Sequence, residues 1–210
     1  MELFPEFDKG TQDPIAPLAD RMRPEEWGKF SGQKHLVGEG LPLRELVESG
    51  SRLSFLLWGP PGTGKASLAR ISAKLTESEF YEISAVNAGV ADIRKIIDAA
   101  RHAWKVKRRG TVLFIDEIHR FNKAQQDAVL PHIENGTIRL IGSTTENPSF
   151  EVIPALRSRC QTFRLEALAR EQIRDILDRA LQDSEKGLGE SDLQIASEAM
   201  NLIVSHSNGD

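Results

Sequence analysis

Runs of consecutive apolar residues alternate along this chain with stretches in which apolar side chains recur every three or four positions. The runs are LSFLLW (Leu53–Trp58), FYEISA (Phe80–Ala85), TVLFID (Thr111–Asp116), TIRLIGS (Thr137–Ser143) and QTFRL (Gln161–Leu165). Several are apolar at successive positions, the pattern of strands covered on both faces of a parallel sheet. Between them the period changes. ADIRKIIDAARHAW sets Ile93, Ile96, Ile97 and Ala100 on one helical face, and KAQQDAVLPHI follows TVLFID. Strand and helix in alternation predict a doubly wound α/β fold with five parallel strands and right-handed crossovers.

Two regions fall outside that alternation. Residues 1–34 are rich in Pro, Asp and Arg and hold no sustained period, which predicts an arm or linker with loose turns. Strand signals stop after Leu165. LAREQIRDILDRAL (Leu168–Leu181) puts Ile173, Ile176, Leu177 and Leu181 on one stripe, KGLGES interrupts, and a second helix is predicted from about Asp192 to His206. The expected organisation is an arm over 1–34, an α/β domain over 35–166 and a partial helical second domain over 167–210.

Composition narrows the class. The chain has 210 residues, 40% hydrophobic and 28% charged, with a formal net charge of −4. Bulk charge therefore gives no hint of nucleic-acid binding, and any such site must be a local patch. The single cysteine, Cys160, excludes an internal disulfide and fits a reducing compartment. MELFPEFDKG has no long apolar core, and no stretch approaches the ~18 apolar residues of a membrane span. A cytoplasmic protein with no membrane partner is expected.

The chemistry centres on GPPGTGK, set between LSFLLW and a helix beginning near Lys65. Gly59, Gly62 and Gly64 permit backbone N–H groups to turn inward around phosphate oxygens, with Pro60, Pro61 and Thr63 completing the loop. The helix N-terminus and Lys65 add positive charge. After the lysine such loops carry a hydroxyl that ligates Mg²⁺. This chain has Ala66, and Ser67 lies about 100° further round the helix. Nucleotide binding is expected to survive, with metal placement loosened.

TVLFIDE ends with Asp116 and Glu117 at the C-terminal edge of a buried strand, where open α/β sheets bind ligands. Asp116 is the candidate for holding Mg²⁺, directly or through water, and Glu117 for orienting and deprotonating the attacking water. TIRLIGSTTENPS brings a polar cluster to the end of another strand. Thr145 is the candidate there for contacting the lytic water or the γ-phosphate.

Taken together these residues resemble an AAA+ ATPase, and more closely the replication-associated recombination protein A family, which includes the Werner helicase-interacting protein. The likeness rests on PLADRMRP, GQKHLVGEG, LWGPPGTGK, AVNAGVADIR, LFIDEIHRFNKAQQDAVLPHIENG, LIGSTTENPSFEVIPALRSRC and the terminal SNGD, from about Pro17 to Asp210. The resemblance implies an adenine-side pocket at Leu18, Arg23, Pro24, Leu36 and Val37. It implies that Arg159, in the Ser-Arg-Cys motif shared with clamp loaders, is an arginine finger donated to a neighbouring subunit, against the alternative of a structural ion pair. It makes Arg94 and Lys95 candidate DNA-phosphate contacts, against that of a solvated basic pair. It implies ATP and Mg²⁺ as cofactors, DNA forks, ends or gaps and single-stranded DNA-binding protein as partners, and a homo-oligomer.

Two departures bear on these expectations. The family has Thr where this chain has Ala66. It also continues past the C-terminal GD to a second sensor arginine and an oligomerisation domain, so this chain reads as an ATPase core. The leading expectation is a DNA-dependent ATPase of replication-fork maintenance. The alternatives are a nucleotide-binding, hydrolysis-poor switch or scaffold, and a clamp-loader-type subunit.

Overall fold

The computed structural model describes residues 16–191 and 193–207. The first half of the expected arm, the expected helix start at Asp192 and the last three residues of SNGD lie outside the described residues. Five parallel strands form one sheet: β1 (Ser54–Trp58), β2 (Glu79–Ser84), β3 (Thr111–Asp116), β4 (Arg139–Thr144) and β5 (Cys160–Arg164), in the order β2-β3-β4-β1-β5. The helices are α1 (Leu18–Arg21), α2 (Lys34–Val37), α3 (Pro42–Glu48), α4 (Lys65–Leu75), α5 (Val90–Lys107), α6 (Lys123–Glu134), α7 (Pro148–Glu151), α8 (Pro154–Arg157), α9 (Arg170–Gln182) and α10 (Ser197–His206).

The apolar runs explain the layers. In a strand, successive side chains point to opposite faces. Leu113 and Ile115 of β3 therefore pack with Ile93, Ile96, Ile97 and Ala100 of α5 and Val129 of α6. Val112 and Phe114 pack on the other face with Leu68, Ala69 and Ala73 of α4 and Leu43 and Val47 of α3. β1, β3 and β4 are buried almost throughout, whereas β2 and β5 are partly open. Burial at the last two is lower because each is a sheet edge, pairing on one side only.

Boundaries move where local hydrogen bonding intervenes. β4 begins at Arg139 rather than Thr137, because the Asn135 side chain accepts from both the Thr137 N–H (3.0 Å) and its hydroxyl (2.6 Å) and holds a turn. α10 begins at Ser197, so residues 193–196 are not helical as the sequence pattern suggested. The described part of the arm is also more ordered than a linker. It carries α1 and a 3₁₀ turn at Trp27–Lys29, and Trp27 and Phe30 pack against the α4 face of the core.

The helical segment after β5 has a small core of its own, Ile173, Met200 and Val204 with Leu168, Leu177 and Leu181. The arm ties it to the sheet layer. Arg179 of α9 donates to the Lys29 carbonyl (2.6 Å) and to the Ser31 hydroxyl (3.3 Å). Glu25 pairs with Lys74 of α4 and with Lys186, both at 2.7 Å. These two cations, Lys186 first, hold the Glu25 carboxyl at about 2, below its ordinary 4.5. Among the described residues no helix is long and apolar enough to cross a membrane.

Candidate functional site

The strand order creates the site. The chain leaves β1 through α4 on one face of the sheet, returns through α5 and α6 on the other, and lands β4 directly beside β1. The C-terminal edge between β1 and β4 is therefore a switch point, where open α/β sheets form a crevice. The glycine-rich loop leaves β1 there, and Asp116, Glu117 and Thr145 arrive from β3 and β4.

Backbone geometry accounts for the glycines. Gly64 caps α4 at φ 86°, ψ 20°, and a Cβ there would fall 2.7 Å and 2.8 Å from two carbons of the Phe30 ring. Gly59 runs against the carbonyl of Leu165, 2.5 Å from where a Cβ would sit. Thr63 donates its hydroxyl to the Pro60 carbonyl at 2.9 Å, closing the turn. Lys65 is buried, and its ammonium donates to the carbonyls of Gly59 (2.9 Å) and Pro60 (2.7 Å), so the charge lies inside the loop. Ala66 packs against the α4-side core and offers no oxygen; Ser67 is buried one position on.

Ser143 organises the acidic pair. It is fully buried; its hydroxyl donates to Asp116 Oδ1 and accepts from the Glu117 N–H at 3.2 Å. Glu117 is in the left-handed region (φ 54°, ψ 47°), a conformation that costs a non-glycine residue roughly 1–2 kcal/mol. Its side chain meets two partners. Thr145 donates to Oε2 at 3.5 Å, and His119 Nε2 lies 3.2 Å from the same oxygen. The other ring nitrogen of His119 is 3.1 Å from the Thr144 hydroxyl, so the imidazole spans the ends of β3 and β4. His119 and Ser143 thus join the candidate site, although motif spacing alone points to neither. For His119 the available signal was its place in DEIHR, two residues after Glu117.

The remaining candidates divide. Leu36 and Val37 are buried in the core beside Phe30, and their segment is fixed next to the loop: Gln33 exchanges two hydrogen bonds with the backbone of Glu166 (2.7 and 2.9 Å). Leu18 is half-buried in α1; Arg23, followed by half-buried Pro24, pairs with Asp20 at 3.1 Å. Thr145, Gly59, Pro60, Pro61 and Glu166 line a cleft of about 450 Å³ at this edge. Arg94 and Lys95 are exposed on the first turns of α5; Lys95 pairs with Asp92 at 3.3 Å. Arg159 stands apart from the loop. It precedes β5, whose first residue is aligned with Ser54 at the far end of β1. Five residues of strand span about 16 Å at ~3.3 Å each. There it forms an ion pair with Glu134, Nε to Oε1 at 2.6 Å, and donates to the Ala155 carbonyl at 2.6 Å.

This is the fold of a P-loop nucleotide-binding domain, and comparison with known proteins defines it further. The model of the ATPase family associated with various cellular activities (AAA) matches residues 55–167, and the chain belongs to that family. It is 46% identical over 204 residues to Replication-associated recombination protein A of Haemophilus influenzae, an alignment covering 97% of this chain and 45% of that protein. The Escherichia coli K12 protein of the same name is 48% identical over 194 residues, covering 92% and 43%. ATPase WRNIP1 of Dictyostelium discoideum is 47% identical over 168 residues, covering 80% and 19%. The chain thus spans less than half the length of these relatives. Among solved structures, the Thermotoga maritima RuvB Holliday junction branch migration motor superposes with a TM-score of 0.69 at 30% identity, covering 90% of this chain and 61% of that one.

Proposed function

We propose that the chain binds ATP with Mg²⁺ between the glycine-rich loop and the ends of β3 and β4, hydrolyses it slowly, and is the motor core of a protein that remodels DNA during replication-associated recombination. The observation that carries this reading is the convergence on one sheet edge of Lys65, Asp116, Glu117 and Thr145 around a loop whose N–H groups and buried ammonium suit a polyphosphate. Gly59 to Ser67 cradle the phosphates, while Leu18, Arg23, Pro24, Leu36 and Val37 border the adenine. Glu117 takes the proton from the attacking water and Thr145 orients that water or the γ-phosphate. Ser143 and His119 hold Glu117 in position.

The donor set fits a magnesium ion that arrives with the nucleotide. Among the described residues no cluster of three His, Cys, Asp or Glu forms a metal cage. One carboxylate, Asp116, together with phosphate oxygens and waters, satisfies a cation that keeps much of its hydration. The ion would neutralise charge developing on the phosphates. Ala66 supplies no ligand, which favours slow turnover and keeps the hydrolysis-poor switch as the second reading.

Arg159 lies too far from its own loop to contact that nucleotide. Its ion pair with Glu134 favours the structural alternative; donation to a neighbouring copy in a homo-oligomer would need release from Glu134 on assembly. Arg94 and Lys95 contact DNA phosphates, and single-stranded DNA-binding protein accompanies the substrate at forks, ends or gaps.

The test is ATP hydrolysis by this chain with Mg²⁺, with and without forked DNA. Glu117→Gln should bind ATP and turn over none of it; persistent turnover removes Glu117 as the base. Ala66→Thr should raise the rate if the missing ligand limits it. No turnover in either the parent or Ala66→Thr selects the switch.

A further inference from the structure

The nucleotide site occupies the C-terminal edge of the sheet. At the opposite edge, where β3 and β4 begin, lies a second cleft of about 510 Å³ with a different character. Arg52, Trp104, Lys105, Arg108, Thr111 and Arg139 line it. Four are cations, and among the described residues none of these four is in an ion pair with a carboxylate. Arg101 and Arg109 also border the cleft, partly neutralised by Asp98 (3.3 Å) and Glu79 (3.9 Å).

Two of the lining residues, Arg139 and Thr111, are largely buried. Arg139 is only 8% exposed and, among the described residues, is in no ion pair with a carboxylate, while the cation Arg52 acts on it. Burial first, and then that neighbour, push its guanidinium below the ordinary arginine value. The Thr111 hydroxyl is buried and makes no hydrogen bond. A buried hydroxyl normally has a partner; an anion in the cleft supplies an acceptor for it and a counter-charge for Arg139. Beside them Trp104 is 41% exposed, with the Arg52 guanidinium 4.8 Å from its ring centroid. A groove of unpaired cations with an exposed aromatic ring is the arrangement that binds single strands without sequence preference, the cations on the backbone and the ring under a base.

We propose that this cleft binds the phosphodiester backbone of a single nucleic-acid strand, with a base against Trp104. It is a contact surface separate from Arg94 and Lys95, which lie at the other end of α5, and it rests on the proposed action on DNA. A strand held here leaves the catalytic edge free.

The test uses this chain and a fluorescein-labelled oligo-dT at low salt, read by anisotropy. Lys105→Glu with Arg108→Glu changes two exposed side chains, so folding should be retained; a thermal melt checks it. Affinity should fall at least ~10-fold, and the slope of log affinity against log salt should shrink by about 1.4, or ~0.7 per lost single-strand contact. Oligo-dT should also perturb tryptophan emission in the parent and not in Trp104→Phe. Unchanged affinity in Lys105→Glu/Arg108→Glu alongside loss in Arg94→Glu/Lys95→Glu overturns the cleft while leaving the DNA reading intact. No binding by the parent overturns both. Inorganic tripolyphosphate perturbing Trp104 where oligo-dT does not would make the cleft a site for free phosphates and overturn the strand.

Discussion

Replacing Ser143 with alanine should uncouple the two acidic residues without touching the phosphate loop. The hydroxyl is fully buried, donates to Asp116 and accepts from the Glu117 N–H. Alanine keeps the Cβ, so little volume is lost. What disappears is a hydrogen bond to a charged acceptor, and an N–H is left without its partner; together these cost roughly 2–4 kcal/mol. For a chain of 210 residues, at ~2–4 °C per kcal/mol, melting should fall by about 5–15 °C. The catalytic consequence follows from Glu117 backbone geometry. Without the Ser143 anchor its left-handed conformation, strained by roughly 1–2 kcal/mol, has less to hold it. A comparable loss at the transition state lowers the rate ~10-fold. Single-turnover hydrolysis with protein in excess reads this even when the rate is slow, and equilibrium titration reads ATP affinity. Affinity should be preserved, because Lys65 and its loop are untouched. An unchanged single-turnover rate in Ser143→Ala, or lost affinity at constant rate, would contradict the anchoring of Glu117 by Ser143.

Two further predictions concern the frame around the site. Gly64→Ala meets both a positive φ and the Phe30 ring, whereas Gly50→Ala, at φ 66° with nothing within 4 Å of the added carbon, meets strain alone. Gly50→Ala should cost about 1 kcal/mol, Gly64→Ala clearly more, and only the latter should weaken ATP binding; equal melting shifts would show that the Phe30 contact yields freely. Glu25→Gln should loosen α9 from the sheet layer. Because the folded carboxyl lies at about 2 against 4.5, its contribution is complete above about 4.5 and is lost as pH falls through about 2. The pair is half-exposed, so the difference from the parent should be ~1 kcal/mol or less, erased by high salt. A difference that grows on acidification contradicts the assignment.

The sheet was legible because its central strands are buried on both faces and so are written as unbroken apolar runs. The helices α5 and α9 were legible because one stripe of each is apolar. The glycine-rich loop and the acidic pair could be located from spacing and position after strands. What the pattern could not carry was contact between distant positions. Nothing local tells that Ser143 bridges Asp116 and Glu117, or that His119 spans two strand ends, since both depend on β3 lying beside β4. The arm misled because its anchors, Trp27 and Phe30, are isolated aromatics without a period. Arg159 was placed on a motif, and only the parallel register of β5 with β1 reveals that it stands at the opposite edge from its own loop.

The most direct test of a phosphate site at Gly59–Ser67 is calorimetric titration of MgATP into this chain and into Lys65→Ala. One ATP should bind per chain, with an affinity loss of at least ~100-fold on removing the buried ammonium, about 2.7 kcal/mol. Equal binding by the two proteins, or none by the parent, would contradict a phosphate site at Gly59–Ser67.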